Sequence, residues 1–215
     1  MAAIKKRSLV DQVYERLRSD IITLRLPLGS KVNVNELQDT LGVSCTPIRE
    51  AINRLQQEGL ITYENNVGAR VLTLESKDVD EIQQLATTLH CAAAKLAMER
   101  GDHAAMAEQL RQRLAEFQSA DTPAAQVNAV HHLIEVFYKN CGNRRLDRSM
   151  LSIQGQQLLI RNLYAQRGVD KAADTADFER ICRGVETGDA DQVYDALRAY
   201  ASRMEQIVSE SLEKP

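Results

Sequence analysis

Hydrophobic residues recur with a helical period in two segments near the start of the chain. The first segment predicts a helix that begins at Ser8, a residue type favoured as an N-cap, and ends at a turn formed by Pro27 and Gly29. The second predicts a helix from Asn33, whose side chain can cap it, to Gly42. The apolar stripe of the first helix consists of Leu9, Val13, Leu17 and Ile21.

A third helix is expected after a turn of only three residues. We expect Thr46 to be its N-cap and Pro47 its first residue, with Gly59 just past its end. Its apolar positions predict a buried face, so the polar residues between them must point the other way. The buried set is Ile48, Ala51, Ile52 and Leu55, and the polar set is Arg49, Asn53 and Gln56.

Two short segments rich in β-branched residues come next and predict a β-hairpin. The strands are expected at residues 60–63 and 70–74. Asn65, Asn66 and Gly68 lie between them, and these residue types tolerate the positive φ angles that a hairpin tip requires.

Every later segment has the helical period, and none carries a strand signal. The pattern therefore predicts a mainly α-helical protein with two domains, a three-helix domain with a hairpin at residues 1–75 and an all-helical bundle at residues 76–215. The bundle helices are expected at 77–100, 104–119, 124–140, 144–166, 174–187 and 189–212, with Gly142, Gly168 and Gly188 at helix ends.

Composition narrows the class of protein. The chain has 215 residues, 44% of them hydrophobic. No run approaches the roughly 20 apolar residues that span a bilayer. No apolar segment follows the basic residues 1–7, so we expect a cytoplasmic protein that does not enter a membrane. The four cysteines are widely separated, which indicates reduced thiols. They are Cys45, Cys91, Cys141 and Cys182.

The charge distribution permits a nucleic-acid partner without requiring one. The net charge is −3; residues 1–75 carry 10 basic and 9 acidic side chains, and the remainder carries 17 and 21. A nearly neutral domain can bind DNA when its basic groups share one face.

Two short helices joined by a tight turn form a helix-turn-helix, which places its second helix in the major groove of double-stranded DNA. Arg49 is the expected bidentate contact to guanine. The hairpin would then be a wing, with Gly68 at its tip and Arg70 near its base. The alternative is a three-helix core that has a polar surface and a hairpin lid.

The segment Leu41-Gly-Val-Ser-Cys-Thr-Pro-Ile-Arg-Glu-Ala51 resembles the DNA-binding signature of the GntR family of regulators. Agreement continues through residues 54–55 and 58–61, and upstream through residues 17–29. The resemblance implies a winged helix-turn-helix and a homodimer on a short palindromic operator. The expected DNA contacts are Asn35, Ser44, Cys45, Thr46, Arg49, Asn53, Gly68 and Arg70.

Two positions depart from the family pattern. Relatives commonly have arginine at the position of Cys45 and a basic residue at that of Asn35, so a different base preference and a weaker salt dependence are expected. Cys45 also has two interpretations: a thiol with a lowered pKa that acts as a redox switch, or a side chain that makes a weak base contact.

The helical half resembles the FCD effector domain of FadR-like GntR regulators, chiefly at Cys141-Gly142-Asn143 and Gly188-Asp189. Many such domains hold a divalent metal with one aspartate and three histidines. The corresponding positions here are Val130, Ile134, Phe178 and Tyr200, which are not metal ligands. We therefore expect no metal and no other cofactor.

An effector pocket without metal is expected between the bundle helices. Gln157 interrupts an apolar stripe, and Arg161, one turn later, would suit a carboxylate. The alternative is a solid core with Arg161 on a solvated face. The candidate effector-binding residues are His131, Gln157, Arg161, Tyr164, Phe178 and Tyr200.

We expect a transcriptional repressor whose DNA binding responds to a small molecule, chiefly a carboxylate. Two other functions are alternatives to this expectation. An enzyme is disfavoured, because no nucleophile–base pair, phosphate-binding loop or carboxylate dyad is evident, and we expect no catalytic residue. A DNA-binding protein whose helical half only dimerises remains the main alternative.

Overall fold

The computed structural model describes residues 8–64, 68–167 and 169–213. The chain divides into two compact units, Met1–Thr73 and Leu74–Pro215. No helix in the described ranges combines the length and the apolar character needed to cross a bilayer. The expected tip residues Asn65 and Asn66 and the expected helix end at Gly168 lie outside the described residues.

The first unit contains three helices and a two-stranded antiparallel hairpin, as the hydrophobic pattern predicts. Ile61 pairs with Val71 and Glu64 with Gly68, and Lys31 forms an isolated bridge beside the hairpin with Arg70. The elements are α1 (Leu9–Ile22), α2 (Val34–Leu41), α3 (Cys45–Gln57), β1 (Ile61–Glu64) and β2 (Gly68–Val71).

The core of this unit is formed where α1 packs against α3. Leu17, Ile48 and Leu55 are among the fully buried residues that the periodicity placed inside. Ser8 caps α1 in a capping box with Asp11, and Gly42 ends α2 with a left-handed φ of 66°. Local capping and the apolar stripes therefore agree on this fold.

Helix α3 begins earlier than the sequence indicated. Its N-cap is Ser44, with φ −68° and ψ 164°, so the expected N-cap Thr46 is the second helical residue and Pro47 the third. Proline is tolerated throughout a first turn, because those N–H groups have no intrahelical acceptor. Strand β2 also begins and ends earlier than expected, since it pairs with β1 from Gly68 onward.

In the described residues of the second unit, every secondary-structure element is a helix. The long α4 packs against α6 and α10, whereas α5 packs against α6 and α9. The elements are α4 (Ser76–Arg100), α5 (His103–Ser119), α6 (Pro123–Asn140), α7 (Arg144–Leu151), α8 (Gln154–Gln166), α9 (Lys171–Thr187) and α10 (Ala190–Glu213).

The helix expected at 144–166 is in fact two helices, α7 and α8. Ser152 ends α7, and its hydroxyl donates to the carbonyl of Ser149 at 2.7 Å. Such side-chain bonds compete with the helical backbone ladder. The break separates α7 from α8, which packs against α4, α6 and α10 in the interior of the bundle.

Candidate functional sites

The exposed face of α3 carries the polar residues that the periodicity placed outside. Thr46, Arg49 and Asn53 are exposed, whereas Ile48 and Ile52 between them are fully buried. The buried stripe fixes the rotation of the helix, so these polar side chains point to solvent together.

Arg49 differs from most other cations of this unit. Among the described residues of the unit, it and Lys31 are the cations that form no ion pair. The paired cations are Arg16, Arg18, Arg25, Arg54 and Arg70. The guanidinium of Arg49 is therefore available to an outside partner.

Contacts from α1 hold the C-terminal end of α3 in place. The Arg54 guanidinium donates to Asp11 at 2.8 Å, and Arg18 donates to Glu58 at 3.0 Å. The hydroxyl of Tyr14 also donates to Glu58. Burial, together with this carboxylate, raises the pKa of Tyr14 to about 12. A recognition face benefits from such fixed positioning.

The residues around the α2–α3 turn have different environments. Within the described chain, the Ser44 side chain makes no capping hydrogen bond, which leaves first-turn N–H groups for another acceptor. The Cys45 thiol donates to Gln38 Oε1 at 2.8 Å. Asn35 is exposed on α2, and its backbone N–H donates to Asn33.

The two expected DNA contacts of the hairpin, Gly68 and Arg70, both lie on β2. Gly68, with φ 95°, pairs with Glu64 at the described end of the hairpin. Arg70 donates to Glu64 at 3.1 Å and to the Gly29 carbonyl at 2.8 Å, so its guanidinium braces the base of the hairpin. A DNA contact by Arg70 has to be shared with these acceptors.

A cavity of about 220 Å³ lies in the second unit among α4, α6, α7 and α8. Three of the six expected effector-binding residues line it: His131, Gln157 and Arg161. The structure adds polar residues and an apolar wall that the sequence did not assign to a pocket. They are His90, Glu135, Tyr138, Asp147 and Gln154, with Ile134, Met150, Leu151 and Leu158.

Arg161 is buried without an acidic partner among the described residues. It is 3% exposed, and its Nε has no acceptor. Its Nη2 lies 3.3 Å from Nε2 of His90. Burial lowers the pKa of this guanidinium. Gln157, also 3% exposed, has an unpartnered carbonyl oxygen Oε1. Unpaired buried charge is costly, so Arg161 is an unusual residue for the interior of a helical bundle.

The protonation of His90 follows from its neighbours. Arginine can only donate, so Nε2 of His90 must accept from Arg161. Burial, and then the charge of Arg161, lower the pKa of His90 well below its ordinary value. The neutral ring therefore carries its hydrogen on Nδ1 and donates to the Tyr138 oxygen at 3.0 Å. This leaves the hydroxyl hydrogen of Tyr138 for another acceptor.

The other three expected effector-binding residues lie elsewhere in the bundle. Tyr164 donates to Asp174 at 3.0 Å. Phe178 packs against Tyr200 with ring centroids 5.0 Å apart. Tyr164 and Tyr200 border only a space of about 10 Å³, to which Arg161 also contributes. These aromatic residues belong to the packed core beside the cavity.

The positions that correspond to the metal ligands of many FCD domains do not suit a metal in this chain. Val130 and Ile134 are buried apolar side chains, and the described residues contain no group of three His, Cys, Asp or Glu side chains that could hold an ion. Arg161 shares cavity walls with Val130, Ile134 and Tyr200. A fixed guanidinium at this place opposes a divalent cation.

The fold and the α3 face together define a winged helix-turn-helix DNA-binding protein with a helical second domain. Residues 9–71 match the family described as "Bacterial regulatory proteins, gntR family", and residues 81–203 match the family described as "FCD domain". The chain belongs to the GntR family and carries an FCD domain.

Similar proteins are transcriptional regulators. The HTH-type regulator YdhC of Bacillus subtilis (strain 168) is 30% identical over 141 residues, which are 63% of this chain and 62% of YdhC, less than two thirds of its length. A regulator from an unstable DNA locus of Streptomyces ambofaciens is 26% identical over 93% of this chain and 85% of its own.

A solved GntR regulator from Rhodococcus sp. RHA1 has the same fold. Its TM-score is 0.76 at 22% identity, over 94% of this chain and 98% of that one. The family and these relatives are regulators, so the expectation that the chain is not an enzyme is confirmed.

Proposed function

We propose that the protein is a cytoplasmic homodimeric repressor that binds a palindromic operator and responds to a small carboxylate held without metal in the FCD domain. Repression follows from occupancy, because a protein on the operator excludes other proteins from the same DNA. Effector binding would favour a dimer state whose two DNA-binding units no longer match the half-site spacing.

The DNA-binding part of the proposal is supported by the free polar face of α3. Arg49 would contact guanine, and Thr46 and Asn53 would contact neighbouring base edges or phosphates. Ser44, Cys45 and Asn35 would approach the backbone around the α2–α3 turn, while Gly68 and Arg70 would bring the wing to the adjacent groove. In a two-fold dimer the half-sites lie about one helical turn, roughly 34–36 Å, or a multiple of it apart.

The carboxylate is supported chiefly by one observation, the buried and unpaired guanidinium of Arg161. Arginine forms its strongest contacts with carboxylates and phosphates, and a carboxylate would supply the missing acceptor for Nε. Cavities for drug-sized ligands are roughly 300–1,000 Å³. The volume of about 220 Å³ therefore favours a small organic acid over a nucleotide or an acyl-CoA.

The experiment begins with selection of operator sequences in vitro by the full-length protein. Binding to the recovered duplex is then measured against a panel of small carboxylates after exhaustive chelation. We expect at least one acid to weaken operator binding and raise the melting temperature of the protein without added metal.

Arg161→Met should abolish both responses, and Arg148→Met, which removes an exposed arginine of α7, should preserve them. If no acid changes either measurement, the helical domain acts only in dimerisation. A response restored by a divalent metal alone would contradict metal-free binding.

A further inference from the structure

Two residues that line the cavity, Arg161 and Gln157, each have a buried unpartnered atom, and the two atoms are of opposite kinds. Nε of Arg161 is a donor without an acceptor, whereas Oε1 of Gln157 is an acceptor without a donor. The two residues are one turn apart on α8, where side chains at this spacing face the same side about 5–6 Å apart at Cβ. A simple carboxylate satisfies Arg161 but offers Gln157 no hydrogen.

Two residues that line the cavity can donate hydrogen bonds to a ligand. The hydrogen-bond chain from Arg161 through His90 leaves the Tyr138 hydroxyl able to donate. Arg161 and Tyr138 both line the cavity. One carboxylate with two oxygens can accept from both of these groups.

Two acidic residues also line the cavity, beside the uncharged Gln154. Glu135 and Asp147 line the same cavity, and within the described chain Asp147 forms no ion pair. Nζ of Lys139 lies 2.8 Å from Oε2 of Glu135 and neutralises part of the charge of this carboxylate. A second negative group on the ligand would be repelled here, whereas a positive donor would be attracted.

On the basis of the proposed function, we propose that the effector is an α-amino acid with a small apolar side chain. Its carboxylate binds Arg161 and Tyr138. Its ammonium group donates to Gln157 in the field of Asp147 and Glu135. Its side chain packs against the apolar wall formed by Ile134, Met150 and Leu158.

The test uses three matched probe sets with the full-length protein, measured by calorimetry. Each of valine, leucine and methionine is compared with its 2-hydroxy acid, its deaminated acid and its decarboxylated amine. We expect one amino acid to bind at least about 10-fold tighter than its deaminated acid, since a hydrogen bond from a charged group is gained. The hydroxy acid should lie between them, and the amine should not bind.

Two variants test which residues make the protein prefer the amino acid over its deaminated acid. Gln157→Leu removes an unsatisfied acceptor, so the fold is retained, and it should reduce the gap between amino acid and deaminated acid to less than about 3-fold. Asp147→Asn should narrow the same gap. The controls are Gln166→Leu, an exposed position of α8, and Asp121→Asn, an exposed acid remote from the cavity lining.

The outcomes separate this inference from the proposed function. Equal or tighter binding of the deaminated acid overturns the amino-acid assignment but leaves a carboxylate effector. Tighter binding of the hydroxy acid overturns the assignment of a charged donor. If no probe binds and no carboxylate of the wider panel acts, both proposals fail.

Discussion

Arg49 in the DNA-binding unit and Arg161 in the helical domain are both without an ion-pair partner among the described residues, but they lie in opposite environments. Arg49 is exposed on α3, where water solvates its charge. Arg161 is 3% exposed, where solvation is lost. An unpaired charge costs little at a surface and much in an interior. Of the two, only Arg161 keeps an unpaired charge in the interior of its domain.

Another arginine of the helical domain, Arg203, has buried carboxylate partners. Arg203 donates to Asp174 at 2.7 Å and to Asp177 at 2.6 Å, and Asp174 is only 1% exposed. The bundle can therefore supply carboxylates to a guanidinium where it needs a stable core. Among the described residues no carboxylate forms an ion pair with Arg161, which supports a role in binding.

Replacing Arg49 with alanine tests the surface side of the comparison and has the largest expected effect. A bidentate guanine contact contributes about 1–3 kcal/mol per half-site, so two half-sites lose roughly 2–6 kcal/mol of operator binding. The stability of the protein should not change. The measurement is a titration of the selected duplex at fixed salt, with Arg16→Ala on the exposed side of α1 as the control. Unchanged affinity and selectivity would refute the recognition role of α3.

Replacing Arg203 with methionine tests what happens when the partner of a buried carboxylate is removed. Asp174 loses the cation that pairs with it, whereas Asp177 keeps Arg180 at 3.1 Å. Because Asp174 is left buried and charged, the free energy of unfolding should fall by about 3–5 kcal/mol. Urea denaturation followed by circular dichroism measures this. Arg198→Met, at an exposed position of the same helix, should change it by less than about 1 kcal/mol. Equal effects of the two variants would show that the Asp174–Arg203 contact is not structural.

Replacing Arg161 with methionine should act in the opposite direction. The variant removes a buried charge with no carboxylate partner and fills the space with an apolar side chain, so the ligand-free protein should gain about 1–4 kcal/mol of unfolding free energy. The same denaturation experiment measures it beside Arg203→Met. A loss of several kcal/mol would mean that Arg161 stabilises the core, and the contrast with Arg203 would disappear.

The sequence predicted best where neighbouring residues determine the structure. The three N-terminal helices and the hairpin follow from caps, glycines and apolar stripes that are close in the chain. The break at Ser152 was missed, because Gly155 lies inside the first turn of α8 and not at the end of α7. The hydroxyls of Ser149 and Ser152 donate to backbone carbonyls at the break, and the hydrophobic period does not reveal such bonds. The start of α3 differs from the prediction because Ser44, and not Thr46, is its N-cap. The start of β2 differs because pairing with β1 begins at Gly68.

The cavity was predictable only in part. Gln157 and Arg161 were identified because they share one helix face at a spacing of four residues. His90 is hydrogen-bonded to Tyr138 and Arg161. Its place in the cavity wall depends on how α4, α6 and α8 pack, and periodicity does not specify that packing. The same limit explains why Tyr164, Phe178 and Tyr200 lie in the core beside the cavity.

His90 extends the comparison to pH, with the smallest expected effect. Because burial beside Arg161 lowers the pKa of His90 well below 6.5 in the folded protein, the unfolded chain binds the proton first as the pH falls. Stability is therefore present above about pH 6.5 and declines below it, by up to about 1.4 kcal/mol per pH unit. His90→Gln retains an acceptor for Arg161 but cannot titrate, so this decline should become shallower. Denaturation between pH 7 and pH 5 measures the slope, and His132→Gln, an exposed histidine of α6, is the matched control. An identical slope in His90→Gln and the unmodified protein would mean that His90 accepts a proton in the fold, and the derived direction of its bonds to Arg161 and Tyr138 would be wrong.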